Sequence, residues 1–78
     1  MTAIGYRERL KAQPFRPFVV KTADGDTFRV DHPDFSIVSP LGTEVIIYDK
    51  DGHFRHVAMD LIVSLEPIRE QARKAGRR

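Results

Sequence analysis

The sequence predicts a mainly β fold: an N-terminal α-helix followed by a five-stranded, strongly bent small β-barrel. Three observations carry this. Short β-branched and aromatic runs alternate with turn residues from Phe18 to Glu66, only the first dozen residues show helical spacing, and the chain has 78 residues and no cysteine. A chain this short buries a thin core, and five bent strands are too few for two packed sheets, so one twisted sheet curling on itself is the economical solution. We assign residues 1–66 to this domain and residues 67–78 to a basic C-terminal tail, partly helical or disordered.

Thr2 can cap the helix, and Ala3, Tyr6, Leu10 and Gln13 follow at helical spacing. Gly5 weakens the helix, and Pro14 stops it, because the residue before a proline is pushed out of the α region. The helix is therefore expected over roughly Thr2 to Ala12. Pro14-Phe15-Arg16-Pro17-Phe18 is a stiff extended connector whose P-x-x-P spacing matches ligands of proline-reading domains. Its prolines more simply fix the chain path while Phe15 and Phe18 enter the core.

The first hairpin carries the firmest local argument. Phe18-Val19-Val20-Lys21-Thr22 and Thr27-Phe28-Arg29-Val30-Asp31 flank Ala23-Asp24-Gly25-Asp26. A two-residue Asp-Gly turn would put the apolar faces out of phase. A three-residue loop, Ala23-Asp24-Gly25, sets Val20 opposite Phe28 and Phe18 opposite Val30. Gly25 then takes the left-handed bulge position, where glycine carries no steric penalty.

His32-Pro33-Asp34 bends the second strand, since proline lacks a ladder donor, and Phe35-Ser36-Ile37 resumes the alternation. Ser39-Pro40-Leu41-Gly42 turns the chain. Glu44 to Asp49 is apolar on both faces, which suits a central strand or an interface. Lys50-Asp51-Gly52-His53 returns it into Phe54-Arg55-His56-Val57, with the register open. Met59-Asp60-Leu61 is a short turn, Ile62-Val63-Ser64-Leu65-Glu66 the last strand, and Pro67 its end. Ile68 to Ala75 can form a short helix, and Gly76-Arg77-Arg78 frays.

Charge is segregated along the chain. Residues 1–16 carry four basic side chains against Glu8; residues 17–66 carry four against nine acidic ones; residues 67–78 carry five against Glu70. The overall +2 thus hides an acidic centre between two basic ends, and a polyanion would meet the ends first. Arg69, Arg73, Lys74, Arg77 and Arg78 are the candidate nucleic-acid contacts, although no aromatic residue is interleaved as a stacking platform.

The order of helix, hairpin with a bent second strand, second hairpin, short turn and last strand resembles the Sm-like barrel of the wider Src-homology-3-like (SH3-like) group. Pro14-Phe15-Arg16-Pro17-Phe18, Asp24-Gly25, Phe28-x-Val30, His32-Pro33-Asp34-Phe35 and Ile62-Val63-Ser64-Leu65-Glu66 also resemble a family of small bacterial proteins whose activity is uncharacterised. The Sm-like resemblance implies RNA reading by an Asp-x-apolar-Asn loop and an Arg-Gly loop. The corresponding stretches here are Asp34-Phe35-Ser36-Ile37 and Met59-Asp60-Leu61. The asparagine is absent and an acidic residue stands near the place of the arginine, which argues against that RNA site.

Other chemistry is thinly supported. His53 and His56 are i,i+3, which on a strand sends them to opposite faces. His32 lies beside Asp31 and Asp34 in a bend, as in a turn network, and marks the alternative of a small-ligand or metal site. No nucleophile elbow surrounds Ser36, Ser39 or Ser64, and no glycine loop cradles phosphate. Asp24/Asp26 and Asp49/Asp51 sit in turns, where aspartate binds nearby backbone. We therefore expect no enzyme, no cofactor and no metal. No apolar run approaches the ~20 residues that cross a bilayer, and the N-terminus has no signal-like core, so we expect a cytoplasmic protein without membrane contact. The leading expectation is a module that binds protein, itself or another, through strand edges, with Val45, Ile46, Ile47, Tyr48 and Phe54 as candidate interface.

Overall fold

The computed structural model describes residues 1–68. Helix α1 (Ala3–Lys11) starts where Thr2 Oγ1 accepts the Gly5 amide at 3.1 Å, and ends at Ala12, which turns extended ahead of Pro14. Six strands follow: β1 (Phe18–Thr22), β2 (Thr27–Val30), β3 (Ser36–Val38), β4 (Glu44–Tyr48), β5 (Phe54–Ala58) and β6 (Ile62–Pro67). The chain is mainly β with one N-terminal helix, as expected.

The ladders form two antiparallel three-stranded sheets, β2-β1-β6 and β3-β4-β5, rather than one five-stranded ladder. The difference arises at His32-Pro33-Asp34-Phe35. The expected bend is a full 3-10 turn over Pro33–Phe35 that cuts the strand in two. Pro33 cannot donate to a ladder and its fixed φ suits the first helical position. His32 Nδ1 accepts the Asp34 amide at 3.2 Å and caps that turn. A second 3-10 turn, Met59–Leu61, carries the chain from β5 back to β6, which pairs with β1. Each sheet thus hands one strand to the other at a 3-10 corner.

The first hairpin has the predicted register, with Phe18 opposite Val30 and Val20 opposite Phe28. Thr22 N–H donates to Asp26 O at 3.0 Å, closing a three-residue loop whose Gly25 sits at φ 93°. The core joins Tyr6, Phe18, Val20, Val30, Val45, Ile47, Val57, Met59 and Ile62, with Phe28, Leu10 and Leu65 packed against it. Helix α1 enters this core through Tyr6. Its ring meets Phe18 edge-on at 5.8 Å, and its hydroxyl shares a 2.8 Å hydrogen bond with Ser36. Both groups are buried, so each is the partner the other needs. Burial pushes the Tyr6 hydroxyl above its ordinary value of 10.0, and the Ser36 bond partly offsets this.

The expected helix over Ile68 to Ala75 falls, from residue 69 onward, outside the described residues. Among the described residues no helix is long and apolar enough to cross a membrane.

Candidate functional site

Strand order decides which of the predicted interface residues reach a surface. β4 is the middle strand of its sheet, so both its edges are occupied. Val45 and Ile47 point inward and are buried. Ile46 and Tyr48 face outward beside the neighbouring strands. Cross-strand pairing aligns Ile37, Ile46 and His56 in one row and Tyr48 with Phe54 in the next. Tyr48 and Phe54 lie 5.8 Å apart, and Phe54 lies 5.8 Å from His56. Ile37 is 51% and Phe54 55% exposed, so this row is an apolar stripe open to solvent. The doubly apolar strand is buried on one face and half-covered on the other.

Among the described residues, edges remain at the outer strands. β2 is four residues long and carries Arg29; β3 has three residues; β5 carries Arg55 and His56; β6 is the longest, with six. The single charged side chain on β6, Glu66, is held by Lys21 of β1 at 3.1 Å. Val63 on β6 is 62% exposed.

Between β2 and the β4–β5 hairpin lies an open cleft of about 440 Å³. Its apolar wall is Phe28, Phe35, Ile47 and Tyr48, and its rim carries Arg29, Lys50, Asp51 and Arg55. The Arg55 guanidinium stands 5.8 Å over the Phe28 ring. Arg29 Nε pairs with Asp31 at 2.9 Å.

The histidines are used locally. His32 Nδ1 accepts the Asp34 amide and so serves as the cap of its 3-10 turn. His56 lies 3.8 Å from Glu44 and His53 3.8 Å from Asp49. Asp49, Asp51 and His53 gather oxygen and nitrogen atoms within 4.8 Å, all exposed. The i, i+2, i+4 spacing of these three is the sequence signal for this cluster, distinct from the i, i+3 pair His53/His56. Asp49 Oδ1 already accepts the Asp51 and His53 amides at 2.9 and 3.0 Å, so the cluster is the hydrogen bonding of a turn. Asp24 does the same in the first hairpin, where the Thr22 hydroxyl donates to it and holds its carboxyl below 3.8.

Arg69, Arg73, Lys74, Arg77 and Arg78 lie outside the described residues. Their point of attachment does not: Ile68 N–H donates to Pro17 O at 3.3 Å, next to Arg16.

No family model, curated protein or solved structure matches the chain.

Proposed function

We propose that the chain is a non-enzymatic interaction module, a small barrel-like domain that associates through its strand edges with itself or with another protein in the cytoplasm. The observation that carries this is β6: a six-residue edge strand whose one charged side chain is already paired. Natural sheets blunt exposed edges with lysine, inward charges or very short strands, because unpaired N–H and C=O groups template further pairing. β2, β3 and β5 follow that practice by shortness or charge; β6 has Pro67 at its end and a register shift at Val63, and between them Ser64 to Glu66 stays regular. The apolar stripe of Ile37, Ile46, Tyr48 and Phe54 offers a second contact surface.

The return of β6 to β1 through a 3-10 turn, after a second strand broken at proline, supports kinship with the Sm-like and SH3-like small barrels and with the small bacterial proteins that share the Pro-Phe-Arg-Pro-Phe pattern. Light scattering at micromolar to hundred-micromolar concentration tests the reading. Association weakened by Val63→Lys is the expected outcome, and a strict monomer with no captured protein partner defeats it.

A second reading has its own observation. The bond from Ile68 to Pro17 sets the residue before the basic tail beside Arg16 of the basic N-terminal segment. This favours a nucleic-acid-binding accessory role through phosphate contacts. Such binding would fall steeply with salt, and Arg16→Gln and Arg73→Gln would each flatten that dependence by about one unit of log K per log[salt] for duplex DNA. Binding indifferent to salt rejects it.

A further inference from the structure

We infer that the partner on the β6 edge is a second copy of this chain, docked antiparallel about a two-fold axis at Leu65. The inference rests on the edge-association reading above and specifies its partner, strand and direction.

The backbone sets the register. Ile68 N–H points to β1, where Pro17 O receives it. In an antiparallel ladder the residues that bond to a neighbour alternate, and Ile68 continues the pairing of Pro67 with Phe18. Glu66 and Ser64 therefore also bond to β1, while the N–H and C=O of Leu65 and the C=O of Pro67 point away from it. Pro67 thus lacks its N–H on the side where β1 does not need one. The start of the edge is partly taken, because the Met1 ammonium donates to Ile62 O at 3.4 Å. Among the described residues the open stretch is short and centred on Leu65. Two copies meeting there would exchange both Leu65 hydrogen bonds and set Ser64 opposite the second copy's Glu66, while Val63, 62% exposed, is the extra residue of the register shift that ends this regular stretch.

Charge sets the direction. At the Ile62 end, Leu61 O accepts the Ala23 amide at 2.8 Å, which ties Asp60 to the turn holding Asp24 and Asp26. None of these three carboxylates is in an ion pair among the described residues, and together they outnumber the Met1 ammonium at Ile62 O, so this end stays acidic. At the Pro67 end stands Arg16, exposed and likewise unpaired among the described residues. Antiparallel docking sets the acidic end of each copy against the basic end of the other; parallel docking would set like against like. A two-fold contact of this kind is isologous and closes at two copies.

The chain has no cysteine, so single introduced thiols report this geometry cleanly. Opposed residues of a hydrogen-bonded pair sit about 5.5 Å apart at Cα, within disulfide range. Full-length Leu65→Cys should oxidise to a covalent dimer at least ten-fold faster than His56→Cys on the β5 edge. Leu65 also packs on the core, so a mixture of Ser64→Cys and Glu66→Cys, two exposed-face positions that the axis brings opposite each other, repeats the test. In sedimentation equilibrium, Asp60→Lys and Arg16→Glu should each raise the dimer Kd several-fold, and the doubly substituted chain should recover it. Association with crosslinking only through His56→Cys, alone or mixed with Ser64→Cys, overturns this inference and leaves edge association standing. So does additive weakening in the charge-swapped double variant. A chain that stays monomeric at about 100 µM and crosslinks nowhere defeats both.

Discussion

The two hairpins are built on the same turn and come out with opposite faces. In β1–β2, Thr22 N–H donates to Asp26 O, Gly25 N–H to Thr22 O, and Gly25 sits at φ 93°. In β4–β5, Asp49 N–H donates to His53 O, Gly52 N–H to Asp49 O, and Gly52 sits at φ 87°. Both are three-residue loops ending in a left-handed glycine. After Asp-Gly, the first hairpin places two residues before its phenylalanine and the second places one. That single residue changes parity, and in a strand parity decides the face. Phe28 shares a face with Val30 and packs on the core. Phe54 is three residues from Val57 and faces out, while Arg55 takes the position that Phe28 holds in the first hairpin. The inward site filled by an arginine is where the cleft opens, and the outward phenylalanine makes the exposed stripe.

The sharpest way to break this comparison is to truncate the aromatic anchor of each hairpin. Phe18→Ala removes a fully buried ring in contact with Tyr6 and Phe15 and should destabilise by about 3–5 kcal/mol, enough to unfold much of a domain this small. Phe54→Ala removes a ring that is more than half exposed and should change stability by no more than about 0.5 kcal/mol. Urea denaturation followed by circular dichroism compares them. Equal losses would mean that the outer face of β4–β5 is core after all.

The glycines come next. Gly25 and Gly52 both have positive φ and open space around an added Cβ. Alanine at either should therefore cost only the backbone strain, about 1–2 kcal/mol, and by the same amount in both hairpins. Gly42, at φ 75°, is the contrasting case. A Cβ there would lie 2.8 Å from the Ala3 Cβ on α1, so Gly42→Ala should cost more than either.

Arg55→Phe restores the face of the second hairpin to that of the first. It exchanges an exposed guanidinium over Phe28 for an aromatic pair at the same place. A gain of about 0.5–1 kcal/mol, read as a rise of a few degrees in Tm, is expected. A loss would show that the cleft needs its charge to hold its walls apart.

Much of this was legible in the residues. Thr2 and Pro14 bounded the helix, and the need to keep Phe18, Val20, Phe28 and Val30 on one face selected the three-residue loop. The second hairpin resisted the same reasoning because β4 is apolar at every position from Val45 to Tyr48, so either register keeps an apolar face. Only its place between β3 and β5, a property of the whole fold, tells Ile46 from Ile47. The break at Pro33 was foreseen as a bend and became a corner between sheets, because His32 supplies a cap that the one-strand reading did not weigh. The candidate site was the least legible part. An edge strand is defined by what fails to pair with it, and nothing local to Ile62–Pro67 marks that.

The smallest expected effect separates the turns by acid. Thr22 and Asp49 hold the same position in their hairpins, but Thr22 is buried and turns its hydroxyl toward Asp24. That bond is the largest cause holding the Asp24 carboxyl below 3.8. A carboxyl whose folded value is depressed stabilises the fold above its unfolded value, and that contribution is lost as pH falls through the folded one. The first hairpin should therefore loosen as pH falls below 3.8 and through the lower folded value of Asp24, and Thr22→Val should move the Asp24 titration, followed by carboxyl NMR shifts, back up toward 3.8. Because Asp24 is solvent-exposed, its global effect is small and the titration is the readout that matters. An unchanged midpoint in Thr22→Val would assign the depression to the backbone amides of Asp24 and Asp26, the lesser contributors, and would make the two turns electrostatically alike.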